Sequence, residues 1–291
     1  MPPSKSVTRV EQDRADYVAG RLPNEDDARL AARYGPASAA ARAGRQRYFV
    51  NPMLALGFAA LNTTRPLFAN ARMRRAVNYA IDRRALAKQG SPVSGPGAFT
   101  TIPTDQYLPS TMPGFERTSI YPLDGDLPMA RRLAGGGRHN AVLYTCKPAP
   151  ASFCERQAVI IKQDLQRIGI NVEIRTFPFN VMVARMQRRG EPWDIGLLDW
   201  GADFVDPSSF LDLLAPSVDA GSREKLARAA RLSGPIRYRT YGQLAVELAR
   251  HAAPWVAYAN GTFRDFFSAR IGCQLFQPVY GMDLGALCTR R

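Results

Sequence analysis

An indole and two carboxylates close the segment Trp193-Asp194-Ile195-Gly196-Leu197-Leu198-Asp199-Trp200-Gly201-Ala202-Asp203-Phe204-Val205-Asp206-Pro207. Asp199, Trp200 and Asp203 follow directly on an apolar run, and together they offer negative charge to an ammonium group and a flat apolar face beside it. That chemistry is recognition rather than bond breaking. Two plainer readings stand beside it: aspartate is an ordinary turn residue, and tryptophan is highly buried on average, so Asp203 also reads as a turn and Trp200 as core packing.

Little else in the chain has the makings of catalysis. No GxSxG elbow, P-loop or GxGxxG follows a strand, and His139 and His251 are the only histidines. A hydrolase using His251 is the rival from another functional class, with a thin motif inventory behind it. No CxxC or HxxxH spacing marks a zinc site, and no cofactor is expected. The cysteines fall as two near pairs, Cys146 with Cys154 and Cys273 with Cys288. Two local disulfides in an oxidising compartment suit that spacing, although four cysteines allow three connectivities and free buried cysteines are the alternative.

The elements that must position Trp200 and Asp203 come in a regular order. Residues 141–146 read as a short strand. Ser152-x-x-Glu155 is a capping box for a helix with Ala158, Ile161, Leu165 and Ile168 on one face, ended by Gly169. Ile170, Val172 and Ile174 then alternate with polar residues as a strand does. A helix over about 180–189 leads to the strand 194–198. Strand, helix, strand, helix, strand with right-handed crossovers makes the three strands parallel, and ligands bind such sheets at the strands' carboxyl ends. Asp199, Trp200 and Asp203 are therefore expected at the mouth of a crevice.

Elsewhere, residues 1–48 give weak helical patterning, and apolar runs over 48–61 read as strands. Asn70 caps a helix whose apolar positions are Met73, Ala76, Val77, Ala80 and Ile81, expected to run on to Lys88 and Gly90. Its other face, Arg72, Arg75, Asp82 and Arg83, reads as solvated. Residues 91–126 form a long loop rich in proline and glycine, of the kind that is usually functional or packed over a surface. A helix follows at 128–133. Asp206-Pro207 starts another, with further helix at 237–252 and a strand at 254–258. The last thirty residues are too apolar for a free tail.

The 291 residues, 46% hydrophobic, describe a globular chain of one or two domains. Its net charge of +14 is mostly arginine spread as single residues and pairs. No basic run is interleaved with aromatics, so nucleic acid is not an expected partner. No stretch reaches the roughly 20 apolar residues of a membrane span, and Met1-Pro2-Pro3-Ser4-Lys5 leads into no apolar signal core.

Five motifs in order, Asn62-Thr63-Thr64-Arg65-Pro66-Leu67-Phe68, Arg72-Met73-Arg74-Arg75-Ala76-Val77-Asn78-Tyr79-Ala80-Ile81-Asp82-Arg83, Leu108-Pro109-Ser110-Thr111-Met112-Pro113-Gly114-Phe115, Gln163-Asp164-Leu165-Gln166-Arg167-Ile168-Gly169-Ile170 and Trp200-Gly201-Ala202-Asp203-Phe204-Val205-Asp206-Pro207, resemble the carboxyl-terminal part of the family 5 extracellular solute-binding proteins. These are the peptide, dipeptide and nickel binding components of ABC importers. The resemblance implies an α/β fold, the type II periplasmic-binding-protein arrangement of two lobes that close over a ligand. Residues 1–62 would belong to the first lobe, 63–258 to the second, and 259–291 to the return. It further implies a monomeric, non-catalytic receptor outside the cytoplasm that captures a peptide or other small solute and delivers it to a membrane permease. In it, Asp203 would pair with a ligand's amino terminus and Trp200 would lie against the ligand, while Asp206 is structural. One departure is Leu197, where oligopeptide receptors carry an arginine, which leaves peptides, glycosides, opines and metal chelates open. About the amino-terminal half of a family member is not in the sequence, which suggests a fragment, a split gene product or a misplaced start codon. A truncated receptor without independent ligand binding is the alternative reading.

Overall fold

The computed structural model describes residues 3–18, 22, 24–90, 98–146 and 153–290. Three helices come first, α1 (Pro3–Glu11), α2 (Asn24–Tyr34) and α3 (Ala39–Arg42), before the long strand β1 (Tyr48–Leu61). Next are α4 (Pro66–Ala69), α5 (Ala71–Ala80), α6 (Arg83–Ala87), β2 (Ala98–Pro103) and α7 (Leu127–Ala134). The middle is β3 (His139–Cys146), α8 (Phe153–Gln166), β4 (Ile170–Phe177), α9 (Phe179–Met186) and β5 (Ile195–Gly201). After α10 (Ser208–Leu211), α11 (Ala220–Ala230) and α12 (Gly234–His251), β6 (Trp255–Phe266) returns through the sheet. The short strands β7 (Ile271–Gly272), β8 (Phe276–Gln277), β9 (Gly281–Met282) and β10 (Cys288–Thr289) close the chain as the antiparallel pairs β7 with β10 and β8 with β9.

The large sheet has six strands in the order β2-β6-β1-β5-β3-β4. β3 is parallel to both β4 and β5, so the three parallel strands expected from the alternating pattern are present, with β3 in the middle. β1 pairs antiparallel with β5, joining them to the rest of the sheet. Alternation decides which side chains are buried. Ala59 and Leu61 of β1, Ala141 and Leu143 of β3, Ile170 and Val172 of β4, and Ile195 and Leu197 of β5 share one core with Ala76, Val77 and Ala80 of α5 and Ala158, Ile161 and Leu165 of α8. Each fully buried valine, leucine or isoleucine there contributes roughly 1.5–3 kcal/mol through removal from water.

The chain forms two compact units. One holds the residues up to Met53, those from Gly261 onward and the start of β2; the other holds most of what lies between. β1 passes from the first to the second after Met53, and β6 passes back after Asn260. Val7, Val10, Leu30, Tyr34, Tyr48 and Phe266 build a separate core in the first unit.

The helix expected to run from Asn70 to Gly90 is two helices. Asn70 does cap it, its side chain accepting from the Arg72 N–H at 2.8 Å, but α5 ends at Ala80. Asp82 is extended, its N–H donates to Asp164 Oδ2 (3.0 Å), and its own carboxylate accepts from the Ala85 N–H (2.8 Å), starting α6 afresh. The break turns Arg83 inward, so the solvated face expected for it is corrected. Arg83 is fully buried and donates to the carbonyls of Ala257 (2.9 Å) and Asn78 (2.7 Å) and to Asn78 Oδ1 (2.8 Å). The Tyr121 ring lies 5.3 Å from the guanidinium, and burial pulls the Arg83 pKa down to about 10 against the opposing charge of Asp105. The capping residue Ser152 lies outside the described residues.

Arg83 and Arg72 thus sit in one arginine-rich segment with opposite consequences. Arg83→Ala strands three buried acceptors and is expected to lower unfolding stability in urea by about 3 kcal/mol or more. Arg72→Ala, on an exposed site, is expected to change it by about 0.5 kcal/mol or less.

Candidate functional site

β5 holds the central position for recognition because it is bonded on both sides. Its register with β1 pairs Phe58 with Leu198, Gly57 with Asp199, Leu56 with Trp200 and Ala55 with Gly201, while Gly196 sits opposite Tyr144 of β3. The strand therefore runs through Gly201, beyond the expected end at Leu198. Asp199 and Trp200 are its last side chains, and only Asp203 lies past it.

Period two then separates the two residues. Asp199 follows Ile195 and Leu197 onto the face of the main core. Opposite it, Gly57 leaves the space that a side chain would fill: a Cβ there would stand 3.0 Å from the Tyr258 ring and 3.1 Å from Asp199 Oδ1. Tyr258 is fully buried, and both burial and the Asp199 charge push its pKa well up, so the phenol stays protonated and donates to Gln157 Oε1 at 3.3 Å. Gln157 in turn donates to the Gly90 carbonyl at 2.8 Å. Asp199 belongs to this inward cluster.

Trp200 points to the other face, with Gly196 and Leu198 of its own strand and Leu56 and Phe58 of β1. On that face Phe58 stacks on Trp255, ring centroids 4.0 Å apart. Trp200 is half-buried, and its Nε1 is shielded from solvent with no hydrogen-bond partner among the described residues. A shielded N–H without an acceptor costs roughly 1–3 kcal/mol in desolvation.

Beyond the strand, the Ala202 N–H donates to the Leu54 carbonyl (2.7 Å), fixing where the chain leaves the sheet. The Asp203 N–H donates to Ser209 Oγ (3.1 Å), while its side chain is exposed. Phe204 and Val205 next to it are exposed too, at 53% and 41%. Asp206 anchors this turn. Its carboxylate accepts from the Ser208 N–H (3.0 Å) and takes both Arg237 nitrogens, Nε at 2.8 Å and Nη2 at 2.9 Å, with the guanidinium over the Tyr241 ring. The same arginine donates to the Ala230 carbonyl at 2.8 Å, tying the turn to α11 and α12. Of the residues singled out from the sequence, the strand brings Trp200 and Asp203 to its carboxyl end and turns Asp199 into the core. Phe204 and Val205 escaped the sequence reading, although two large apolar residues in a turn between aspartates are themselves a signal.

Both cysteine pairs are disulfides, Cys146 with Cys154 (Cα atoms 5.7 Å apart) and Cys273 with Cys288 (5.4 Å). The first closes the connection leaving the carboxyl end of β3, beside that of β5. Among the described residues no group of three or more histidines, cysteines and carboxylates could hold a metal, and no helix is long and apolar enough to cross a membrane.

Burial pushes the Asp206 pKa up, but the hydrogen bonds from Arg237 and Ser208 outweigh it and hold the group below the usual carboxylate range. A depressed folded-state pKa stabilises the protein above the unfolded carboxylate pKa, and that contribution fades as pH falls through the folded value. Asp206→Asn is therefore expected to lower thermal stability at neutral pH. The gap to the parent should narrow as melting is followed to pH 3 and below, roughly past the carboxylate range.

The chain matches the bacterial extracellular solute-binding proteins, family 5 (middle region), over residues 5–222. It is 26% identical over 254 residues to heme-binding protein A of Haemophilus influenzae, covering 79% of this chain and 43% of that protein. It is also 26% identical over 246 residues to di/tripeptide-binding protein 2 of Pseudomonas aeruginosa, covering 77% and 44%. Among solved structures, HbpA2 of Haemophilus parasuis superposes with a TM-score of 0.79 at 18% identity, over 99% of this chain and 56% of that one. The chain spans less than half the length of these two curated relatives. The matched residues run from α1 to α11 and include the whole carboxyl end of β5, and the chain belongs to the family 5 bacterial extracellular solute-binding proteins.

Proposed function

We propose that this chain is the substrate-capture part of a non-catalytic receptor for an ABC importer, and that it takes peptides at the carboxyl end of β5. The observation that carries the reading is the pair at that end: the half-buried indole of Trp200, facing away from the main core, followed three residues on by the exposed carboxylate of Asp203. An ammonium group fits Asp203, the accessible part of the Trp200 ring offers a flat apolar face beside it, and Phe204 and Val205 offer apolar surface for a side chain. A peptide carries an ammonium group and an apolar side chain at one end. Family membership and the di/tripeptide-binding relative support the same class, while the heme-binding relative keeps other solutes in view.

On this reading the unit around β3, β4 and β5 is the second lobe, and the unit with α1 to α3 belongs to the first. β1 and β6 are chain connections between them, across which a closing motion would have to act. The partner is a membrane permease, the receptor is monomeric, and the compartment is periplasmic or extracellular. Two disulfides fit an oxidising compartment, and family membership fits the same location.

Thermal shift with a panel of di- to tetrapeptides tests the assignment. Peptides with free amino termini are expected to raise the melting temperature, and acetylated ones are not. Asp203→Asn should weaken binding by about 10- to 100-fold through loss of the charged partner. No shift with any peptide, or equal shifts with acetylated peptides, would overturn the peptide assignment.

A further inference from the structure

The amino ends of the parallel strands are crowded with positive charge. Six arginines stand there, Arg72 on α5, Arg131 and Arg132 on α7, Arg138 before β3, and Arg188 and Arg189 before β5, all exposed. Among the described residues none of the six forms a salt bridge. The acids within reach are already engaged: Asp194 is buried and held by Arg65 at 3.1 Å, Asp164 is buried beside Arg167, and Glu191, whose carboxylate feels Arg188, is held by Arg185 at 2.5 Å and the Tyr144 hydroxyl at 2.8 Å. Where the six guanidiniums do bond, they find neutral partners. Arg131 donates to the Arg167 carbonyl (3.0 Å) and Arg72 to that of Arg132 (2.8 Å).

Three of these arginines line a chain of neighbouring hollows. A hollow of about 660 Å³ is lined by Arg65, Arg188 and Arg189; Arg65 also lines a neighbour of about 460 Å³, which shares His139 and Asn140 with a third of about 530 Å³ lined by Arg138. Asn70 and Met73 bring the Arg72 region to the middle hollow. Trp193 and His139 are the rings in these linings, and both are half-buried. Successive bases would find no row of exposed rings to stack on here.

We propose that this end of the sheet docks on an anionic phospholipid surface. Guanidinium forks suit phosphate oxygens, and a broad band of unpaired arginines over several shallow hollows suits head groups that can move laterally to meet each one. A fixed pattern of carboxylates on a protein would have to match the band residue by residue. Because these are the amino ends of β3, β4 and β5, a membrane bound there leaves the carboxyl ends of the same strands uncovered. The inference does not depend on which solute the other end takes.

Co-sedimentation of the full chain with vesicles tests it, using phosphatidylcholine alone and phosphatidylcholine with roughly one-third phosphatidylglycerol. Binding is expected only to the anionic vesicles and should fall as salt rises. The quadruple variant Arg72→Gln, Arg138→Gln, Arg188→Gln, Arg189→Gln should weaken it by about 20-fold or more. A charge-matched control, Arg9→Gln, Arg14→Gln, Arg231→Gln, Arg239→Gln, should weaken it by less than about threefold. Circular dichroism checks that both variants remain folded, which their exposed sites favour. No binding to anionic vesicles overturns the proposal, as does equal loss in the two variants, which would make the effect one of net charge. Binding to a short DNA duplex or to an acidic protein without vesicle binding would also overturn it.

Discussion

β5 is hydrogen-bonded to a parallel neighbour on one side and an antiparallel one on the other, and most of what this molecule presents depends on that double pairing. Bonding to β3 sets the direction of the strand and hence which end is the carboxyl end. Bonding to β1 carries the ladder out through Gly201, past the point where the apolar run stops. Without β1, Asp199 and Trp200 would lie in a free connection. With it, they are held in strand geometry, and the period of two sends one inward and the other outward.

That forced separation sharpens the roles. Asp199 is drawn into a cluster with Tyr258 and Gln157, made possible by the missing side chain at Gly57. Trp200 faces away from the main core with its indole N–H shielded. Asp203 is free to face solvent because its backbone is held by Ser209 and its turn by Asp206 and Arg237. The rigid parts of the turn are therefore separate from the exposed ones, an arrangement suited to binding on a preorganised surface.

The sequence made much of this legible because its signals were local. Alternation along 170–174 and the helical spacing from Ala158 to Ile168 predict β4 and α8, and the crossovers predict three parallel strands. The expected disulfide pairs are present, since close spacing was itself the signal. What could not be read was non-local. Nothing within residues 194–201 announces that β1 extends the ladder, and the apolar pattern by itself ends at Leu198. Helical spacing places Arg83 on a solvated face because an arginine is buried only when backbone carbonyls converge on it, and Ala257 lies far away in sequence. The break before it did leave a mark, since Asp82 is a good helix cap placed directly after Ile81.

The two ends of β5 differ in charge, with the Asp203 carboxylate exposed just past its carboxyl end and exposed arginines where the parallel strands begin. Hydrogen exchange measured with and without a bound peptide tests the central claim, that solute is captured where β5 finishes. Slowed exchange over residues 199–209, with residues 188–194 unchanged, is the predicted result. Protection confined to 188–194, or none near β5 while peptide is bound, would contradict it.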